Sequence, residues 1–386
     1  MKAFLKGIAV LIALAVSAGC WDRVEIEERG FVVGSAVDLA EDGTYELTFQ
    51  YIVPRAVQGK STGSGQTSAK PFQNISASGE TLFKAARKMS NEVSRSPYLE
   101  HNKIIIVSEQ LARAGKLPEV LDLFVRDPEM RRAAKVMISV GKAKKVLDIK
   151  PNIEALPVQY INSTSENPNK SESIVPTVTI GKVHRFLLEE HSYAIPRITK
   201  VGNRVSLSGA AVFGSDNRLR GFLEGDETSG RNYFSGAILT DAIKIEMGGQ
   251  LLEFEVKRAT RKVRANVVDP KSPVFTVHVK VEGNIGESHA SVDLLDPQIV
   301  REIEKRAAER IESNMYAVLE KLQKQYKADV IGFSECLNED HHRVWDKIMR
   351  DWDRGENLFS QSKVIVRVGV RLRNIGAIEQ VQPGEG

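Results

Sequence analysis

Cysteine occurs only twice in this chain, at positions 20 and 336, and the place of the first constrains everything that follows it. Lys2 and Lys6 precede an apolar run over residues 8–16, after which Ser17-Ala18-Gly19 leads into Cys20. A basic start, a short apolar core and small residues at the cleavage point are the pattern of an export leader. The run is nine residues and a helix needs about twenty to cross a bilayer core, so the segment is expected to be removed after export. No second stretch of that kind follows. Small residues directly before a cysteine are what lipoprotein processing requires, and a thioether-linked diacylglycerol on Cys20 then forms the mature N-terminus. Ser17 stands where leucine is usual, and an ordinary leader with an incidental cysteine is the alternative.

With Cys20 acylated and Cys336 alone, no disulfide framework is open to the chain. Stability must come from packed cores, and 386 residues are ample for two or three domains. Residues 1–19 carry two lysines and no acid, so the formal charge of +4 falls to +2 beyond them. That balance gives no support to nucleic-acid binding, which shows a concentrated basic footprint.

Residues 31–39 and 45–53 flank Glu41-Asp42-Gly43-Thr44, and Asp-Gly between alternating runs signals a hairpin. Tyr45, Leu47, Phe49, Tyr51 and Val53 share one face and Glu46, Thr48 and Gln50 the other, which predicts a half-buried antiparallel pair. Residues 58–70 are almost all Gly, Ser, Thr, Gln and Lys, a mobile loop. Within it Gly59-Lys60-Ser61 imitates the end of a phosphate-binding loop, but Pro54 stands where that motif needs glycine. A helix capped by Ser78 or Thr81 follows, with Leu82, Phe83, Ala86, Met89 and Val93 as its apolar stripe. Residues 104–107 and 136–140 read as buried strands, and 117–125 and 142–149 as helices. Pro128 stops the former helix by disfavouring helical geometry at Asp127. Alternating strands and helices imply an α/β sheet. The polar stretch 162–176 and a helix over 177–190 complete that region.

Short strands at 205–213 and 219–223 surround a Gly-Ser-Asp-Asn turn, and regular alternation resumes at 251–259 and 274–281. Asp296 and Pro297 then announce the clearest helix, Asp as cap and Pro in the first turn. Ile299, Ile303, Ala307, Ile311, Met315, Val318, Leu322 and Tyr326 keep one stripe along it, a core-packing pattern. A helix over roughly 339–352 and a last strand of Val364, Val366, Val368, Val370 and Leu372 close the chain. The expected class is α+β, or mixed α/β, with three domains that each pack a β-sheet against helices. The expected division is a signal peptide over 1–19, lipid-anchored Cys20 with a tether over 20–30, an N-terminal α/β domain over 31–196, a small middle domain over 197–250, and a C-terminal domain over 251–378 containing the long helix 297–326.

Gly19-Cys20-Trp21-Asp22 with Glu25-Ile26-Glu27, then Gly79-Glu80-Thr81-Leu82-Phe83, His101-Asn102-Lys103 and Arg126-Asp127-Pro128-Glu129 follow one another in order. Leu207-Ser208-Gly209-Ala210-Ala211-Val212-Phe213, residues 329–335 and the valine-rich last strand continue the series. Together these resemble the Ger(x)C lipoproteins, the C subunits of germinant receptors in endospore-forming bacteria. The resemblance runs nearly end to end and rests on the order of the segments. It implies a mixed α/β body of three domains and a non-enzymatic lipoprotein subunit of a spore nutrient-germinant receptor, supporting assembly or signalling. It also implies attachment through diacylglycerol on Cys20 at the extracytoplasmic face of the cytoplasmic (spore inner) membrane, with integral-membrane A and B subunits as partners and no nucleic acid.

No Ser-centred nucleophile elbow, His-Glu-x-x-His helix or Cys-x-x-Cys pair occurs, so no catalytic residue and no cofactor is assigned. Glu339, His342 and Asp346 step by three and four residues, which would put them on one helical face. An exposed polar face accounts for them, and no metal is assigned. Cys336 reads as a small buried apolar residue or a lone thiol. His101-Asn102-Lys103 at the entrance to the strand at 104–107 reads as local capping, with a ligand at a strand end as the alternative; no ligand-binding residue is assigned. Trp21-Asp22 belongs at the lipid headgroup level or in a flexible tether. Lys363, Arg367, Arg371 and Arg373 form a basic row opposite the last strand's valines, either a solvated face that discourages edge pairing or a row that meets lipid phosphate. The alternative function is a substrate-binding lipoprotein delivering a small ligand to a membrane transporter, which calls for two similar βαβ lobes around a cleft. A tethered cell-envelope hydrolase would need a buried carboxylate pair in a concave site.

Overall fold

The computed structural model describes residues 4, 7, 25–54, 70–167, 173–237, 240–290 and 293–374. Cys20, the rest of its leader, Trp21, Asp22 and the 58–69 part of the expected loop lie outside the described residues. The first sheet contains β1 (Arg29–Leu39), β2 (Tyr45–Ile52), β3 (Phe72–Gly79), β4 (Ser96–Tyr98), β5 (Ile104–Ser108), β6 (Lys135–Ser139), β7 (Tyr193–Val201), β8 (Arg204–Ser206), β9 (Ala210–Phe213) and β10 (Leu219–Leu223). Its order is β10-β9-β7-β6-β5-β1-β2-β3, parallel from β1 through β5 and β6 to β7 and antiparallel at both ends. A second sheet holds β11 (Asp241–Met247), β12 (Gln250–Asn266), β13 (Val274–Ser288) and β14 (Lys363–Asn374) in that order. The principal helices are α1 (Leu82–Glu92), α2 (Leu117–Arg126), α3 (Pro157–Ser165), α4 (Ile180–Glu189), α5 (Asp226–Ser235), α6 (Pro297–Glu320), α7 (Phe333–Asp340) and α8 (His342–Ile348). The fold is mixed α+β, with both sheets packed against helices.

The first hairpin differs from expectation in its burial. Both faces of β1 and β2 are covered, one by α1, α2 and α4 and the other by α3 and the turn Lys144–Leu147. Polar Thr48 and Gln50 are therefore buried, and they are tolerated because they are hydrogen-bonded. The Thr48 and Ser76 hydroxyls lie 2.8 Å apart, Gln50 Nε2 donates to Asn74 Oδ1 and Leu147 O, and its Oε1 accepts from Val158 N–H.

The boundary expected at 196/197 falls inside β7. That strand pairs with β9 through its first half and with β6 and β8 through its second. Residues 197–250 are shared between the sheets: β8 to β10 extend the first and β11 begins the second. α5 joins them, and its composition hid it. Thr228, Ser229, Gly230 and Asn232 are buried, with Ser229 Oγ donating to Asp241 Oδ1 and Asn232 Nδ2 to Ile174 O. Similarly, α3 occupies the start of the stretch read as polar connection.

α6 begins as expected, with Asp296 Oδ1 accepting from Gln298 N–H at 2.7 Å and Pro297 next. A π-helical turn over Lys321–Tyr326 continues it. Ile303, Ala307, Ile311, Met315, Val318 and Leu322 pack on Phe254, Phe275, Val277, Val279, Val281 and Val366 of the second sheet. The helix also closes that sheet's free edge. Val366 N–H donates to Tyr316 Oη (3.0 Å), Val368 N–H to Glu312 Oε1 (2.9 Å) and Leu372 N–H to Glu304 Oε1 (2.9 Å). Edge protection thus falls to α6, and the basic row of β14 points away from it. The single helix expected over 339–352 is two, α7 and α8, broken at His341, whose backbone is non-helical.

Candidate partner-docking site

Gly79-Glu80-Thr81-Leu82-Phe83 is a turn into a helix. A Cβ at Gly79 would lie 2.7 Å from Ala85 N and 2.9 Å from Thr81 O, so only glycine lets β3 turn this tightly into α1. Thr81 Oγ1 then caps α1 by accepting from Lys84 N–H at 3.2 Å. Leu82, Ala85 and Met89 face the core, whereas Phe83, expected in the buried stripe, is 58% exposed beneath the Arg87 guanidinium. Arg126-Asp127-Pro128-Glu129 ends α2. Asp127 has extended backbone angles, its Oδ1 accepts from Glu129 N–H at 2.9 Å, and Asp122 holds Arg126 at 2.8 Å.

These segments lie far apart in sequence, but α1 and α2 cover the same face of the first sheet and bring them together. Between them lies a groove of about 790 Å³. Leu82, Phe83, Pro118, Leu123 and Pro128 supply its apolar lining, and Glu80, Glu119, Asp122 and Asp127 rim it, with Arg126 as the basic member. The Tyr45 hydroxyl forms a short hydrogen bond with Glu119, and Lys116 Nζ stands 4.8 Å above the Tyr45 ring. Burial, then the neighbouring carboxylate, raises the pKa of the Tyr45 phenol, so it stays protonated as a donor. The arrangement presents apolar area with polar edges, which is the chemistry of association.

His101-Asn102-Lys103 has a joining role. Asn102 is buried and donates to Ser35 Oγ at 2.6 Å, Lys103 N–H donates to Val33 O, and the His101 ring packs against Phe31 and Tyr98. The segment stands at the amino end of β5, whereas α/β sheets bind ligands beyond the carboxyl ends of strands. Neighbouring charges there are paired, Arg131 with Glu100 at 2.6 Å and Lys135 with Glu166 at 2.9 Å.

Residues 329–335 are built around Asp329, which sequence reasoning did not single out. Its carboxylate accepts from the N–H groups of Ile331, Phe333 and Ser334 and from Trp352 Nε1. Glu339, His342 and Asp346 do not share a helix, since the break at His341 separates Glu339 from the other two. His342 and Asp346 lie 3.6 Å apart in the open. Among the described residues no three His, Cys, Asp or Glu side chains are grouped to hold a metal. Cys336 is buried against the core, and burial pushes its thiol up to about 11. Among the described residues no helix is long and apolar enough to cross a membrane.

Residues 22–200 match the family described as spore germination protein N-terminal domain, and residues 208–376 match spore germination B3/GerAC like, C-terminal. Spore germination protein A3 of Bacillus subtilis (strain 168) is 29% identical over 378 residues, covering 96% of this chain and 98% of its own length. Spore germination protein B3 of the same organism is 26% identical over 383 residues, 98% of this chain and 100% of its own. The crystal structure of the GerBC protein superposes with a TM-score of 0.61 at 23% identity, covering 88% of this chain and 97% of that one, and so shares the fold. With both halves matched in order and over almost the whole length, this chain belongs to the Ger(x)C family of spore germination proteins.

Proposed function

We propose that this chain is a non-enzymatic lipoprotein subunit of a spore nutrient-germinant receptor. In this reading diacylglycerol on Cys20 holds it at the extracytoplasmic face of the cytoplasmic (spore inner) membrane, where it supports receptor assembly or signalling with the membrane-embedded A and B subunits. The observation that carries the reading is the groove between α1 and α2. Two of the segments that mark the family meet there, and together they leave Phe83 exposed, with Leu123 half-buried beside it in the groove. Two acyl chains suffice for stable attachment where one does not, and confinement at the bilayer raises the effective concentration of each partner for the other. The ligand-delivery alternative gains no support, since one wide sheet and one four-stranded sheet are not two similar lobes around a cleft.

The test is co-purification from sporulating cells in mild detergent, comparing wild type, Cys20→Ala and Phe83→Asp. Phe83 is exposed and makes little core contact, so this variant is expected to fold. Recovery of two integral-membrane proteins with wild type, and their loss from the groove variant, is the expected result. Undiminished recovery with the groove variant would remove the groove from the interface. Recovery of a transporter ATPase and permease would favour ligand delivery instead.

A further inference from the structure

The outward face of the second sheet carries more charge of one sign than the last strand alone suggests. Beyond the irregularity at Val256/Arg258, β12 turns Arg258, Lys262 and Arg264 outward, and β13 adds Lys280 between its buried valines. β14 adds Lys363, Arg367, Arg371 and Arg373. The strand registers align these residues in rows: Lys262, His278 and Arg367 lie abreast, as do Arg258, Glu282 and Arg371. Glu282 is the one acid in this part of the face among the described residues, and Arg373 already holds it at 2.7 Å. Glu253 and Glu255 lie past the irregularity, toward β11. A Cβ at Gly369, abreast of Lys280, would meet nothing within 4 Å, so the middle of the array is open.

Like charges side by side on a sheet are destabilising, and protecting the edge does not explain them, because α6 already does so. At about 3.3 Å per residue, β14 carries its cations along roughly 33 Å, with β12 and β13 beside it at spacings of about 4.8 Å. We infer that this face docks on a bilayer surface and binds the phosphates of anionic phosphoglycerides. The choice of a bilayer over another polyanion rests on the anchoring reading above; the charge of the face does not. An anchored chain would then have a preferred side toward the membrane, with α6 and its partners on the side away from it.

The test uses the full-length chain carrying Cys20→Ser, so that no acyl chain contributes, mixed with vesicles of phosphatidylcholine alone or with phosphatidylglycerol added. Binding is expected only with phosphatidylglycerol and is expected to weaken as salt rises. Each basic residue near an anionic surface contributes roughly five-fold in binding. Lys262→Gln/Arg264→Gln/Arg367→Gln/Arg371→Gln should therefore lower it by about two orders of magnitude or more. Arg301→Gln/Lys305→Gln/Lys324→Gln/Lys347→Gln, matched in net charge but outside this face, should leave it within about two-fold, the loss expected from net charge alone. Thermal unfolding of the first variant should be unchanged or slightly raised, because like-charge repulsion is relieved. Equal losses in the two variants, or equal binding to both vesicle types, would overturn the inference. So would binding of a single-stranded oligonucleotide without vesicle binding, which would identify a nucleic acid as the polyanion. Lipidation of Cys20, read separately by intact mass of the membrane-extracted protein, can fail or succeed without altering this result.

Discussion

Replacing Asp329 tests whether a buried carboxylate organises the region that joins the second sheet to its helices. The side chain is 3% exposed, with Oδ1 accepting from Ile331 N–H (3.2 Å) and Phe333 N–H (3.3 Å) and Oδ2 from Ser334 N–H (2.7 Å) and Trp352 Nε1 (2.8 Å). Asp329→Ala leaves four donors without this acceptor. A buried donor left unpaired costs about 1–3 kcal/mol. The first-turn amides of α7 can relax toward solvent more readily than an indole with no exposure, so the sum is expected near 4 kcal/mol, at the upper end for one substitution. Asp329→Asn keeps one oxygen but turns an amide toward donors, and should cost roughly half as much.

Chemical denaturation followed by tryptophan fluorescence reads this directly, since Trp352 and Trp345 pack with ring centroids 6.1 Å apart. Trp352→Phe removes one of the four donors and much of the ring contact. In the Asp329→Ala background its cost should shrink by at least about 1 kcal/mol, the coupling of one charge-assisted hydrogen bond. An Asp329→Ala cost below about 1 kcal/mol, or a cycle with no coupling, would show that the four contacts do not hold this region together.

Gly230→Ala should destabilise by about 2 kcal/mol in a thermal or denaturant melt, because its Cβ would lie 2.5 Å from Asn314 O and force α5 off α6; the gain in helix propensity is smaller. With its thiol pushed up to about 11, Cys336 should resist iodoacetamide at pH 8 in the folded chain and react once denaturant is added, as intact mass would show. Asp38 has a raised folded pKa, chiefly from burial, despite accepting from the Ala143 and Lys144 N–H groups. A group raised in the folded state contributes most stability below its unfolded pKa and loses that contribution as pH rises through the folded pKa. The stability of wild type relative to Asp38→Asn should therefore grow as pH falls through the folded pKa toward 3.8, and a difference that shrinks on acidification would contradict the burial argument.

Local signals read directly from the residues survived folding. Thr81 caps α1, Asp296-Pro297 opens α6, Pro128 follows the end of α2, and the stripe from Ile303 to Leu322 is core. Properties set by neighbours were out of reach. Nothing local tells Thr48 and Gln50 that α3 will cover them, and nothing in Asp226–Ser235 announces a buried helix, because its polar side chains are satisfied by distant groups such as Ile174 O. The groove was hidden for the same reason. Each of its two segments carries a complete local explanation as cap or turn, and only the packing of α1 and α2 on one sheet face makes them a surface.

That difference decides how the marked segments should be weighed. Asp329 and Asn102 are buried and spend their side-chain hydrogen bonds inside the fold, so their substitution is expected to act through stability. Phe83 lies in an equally marked segment, yet it is exposed and contributes little to the core beneath it. On the docking proposal a partner would cover this ring, and the area it exposes in the free chain would then gain from the hydrophobic effect on association. Loss of association with an unchanged melting curve in Phe83→Asp would thus separate the docking surface from the scaffold that carries it.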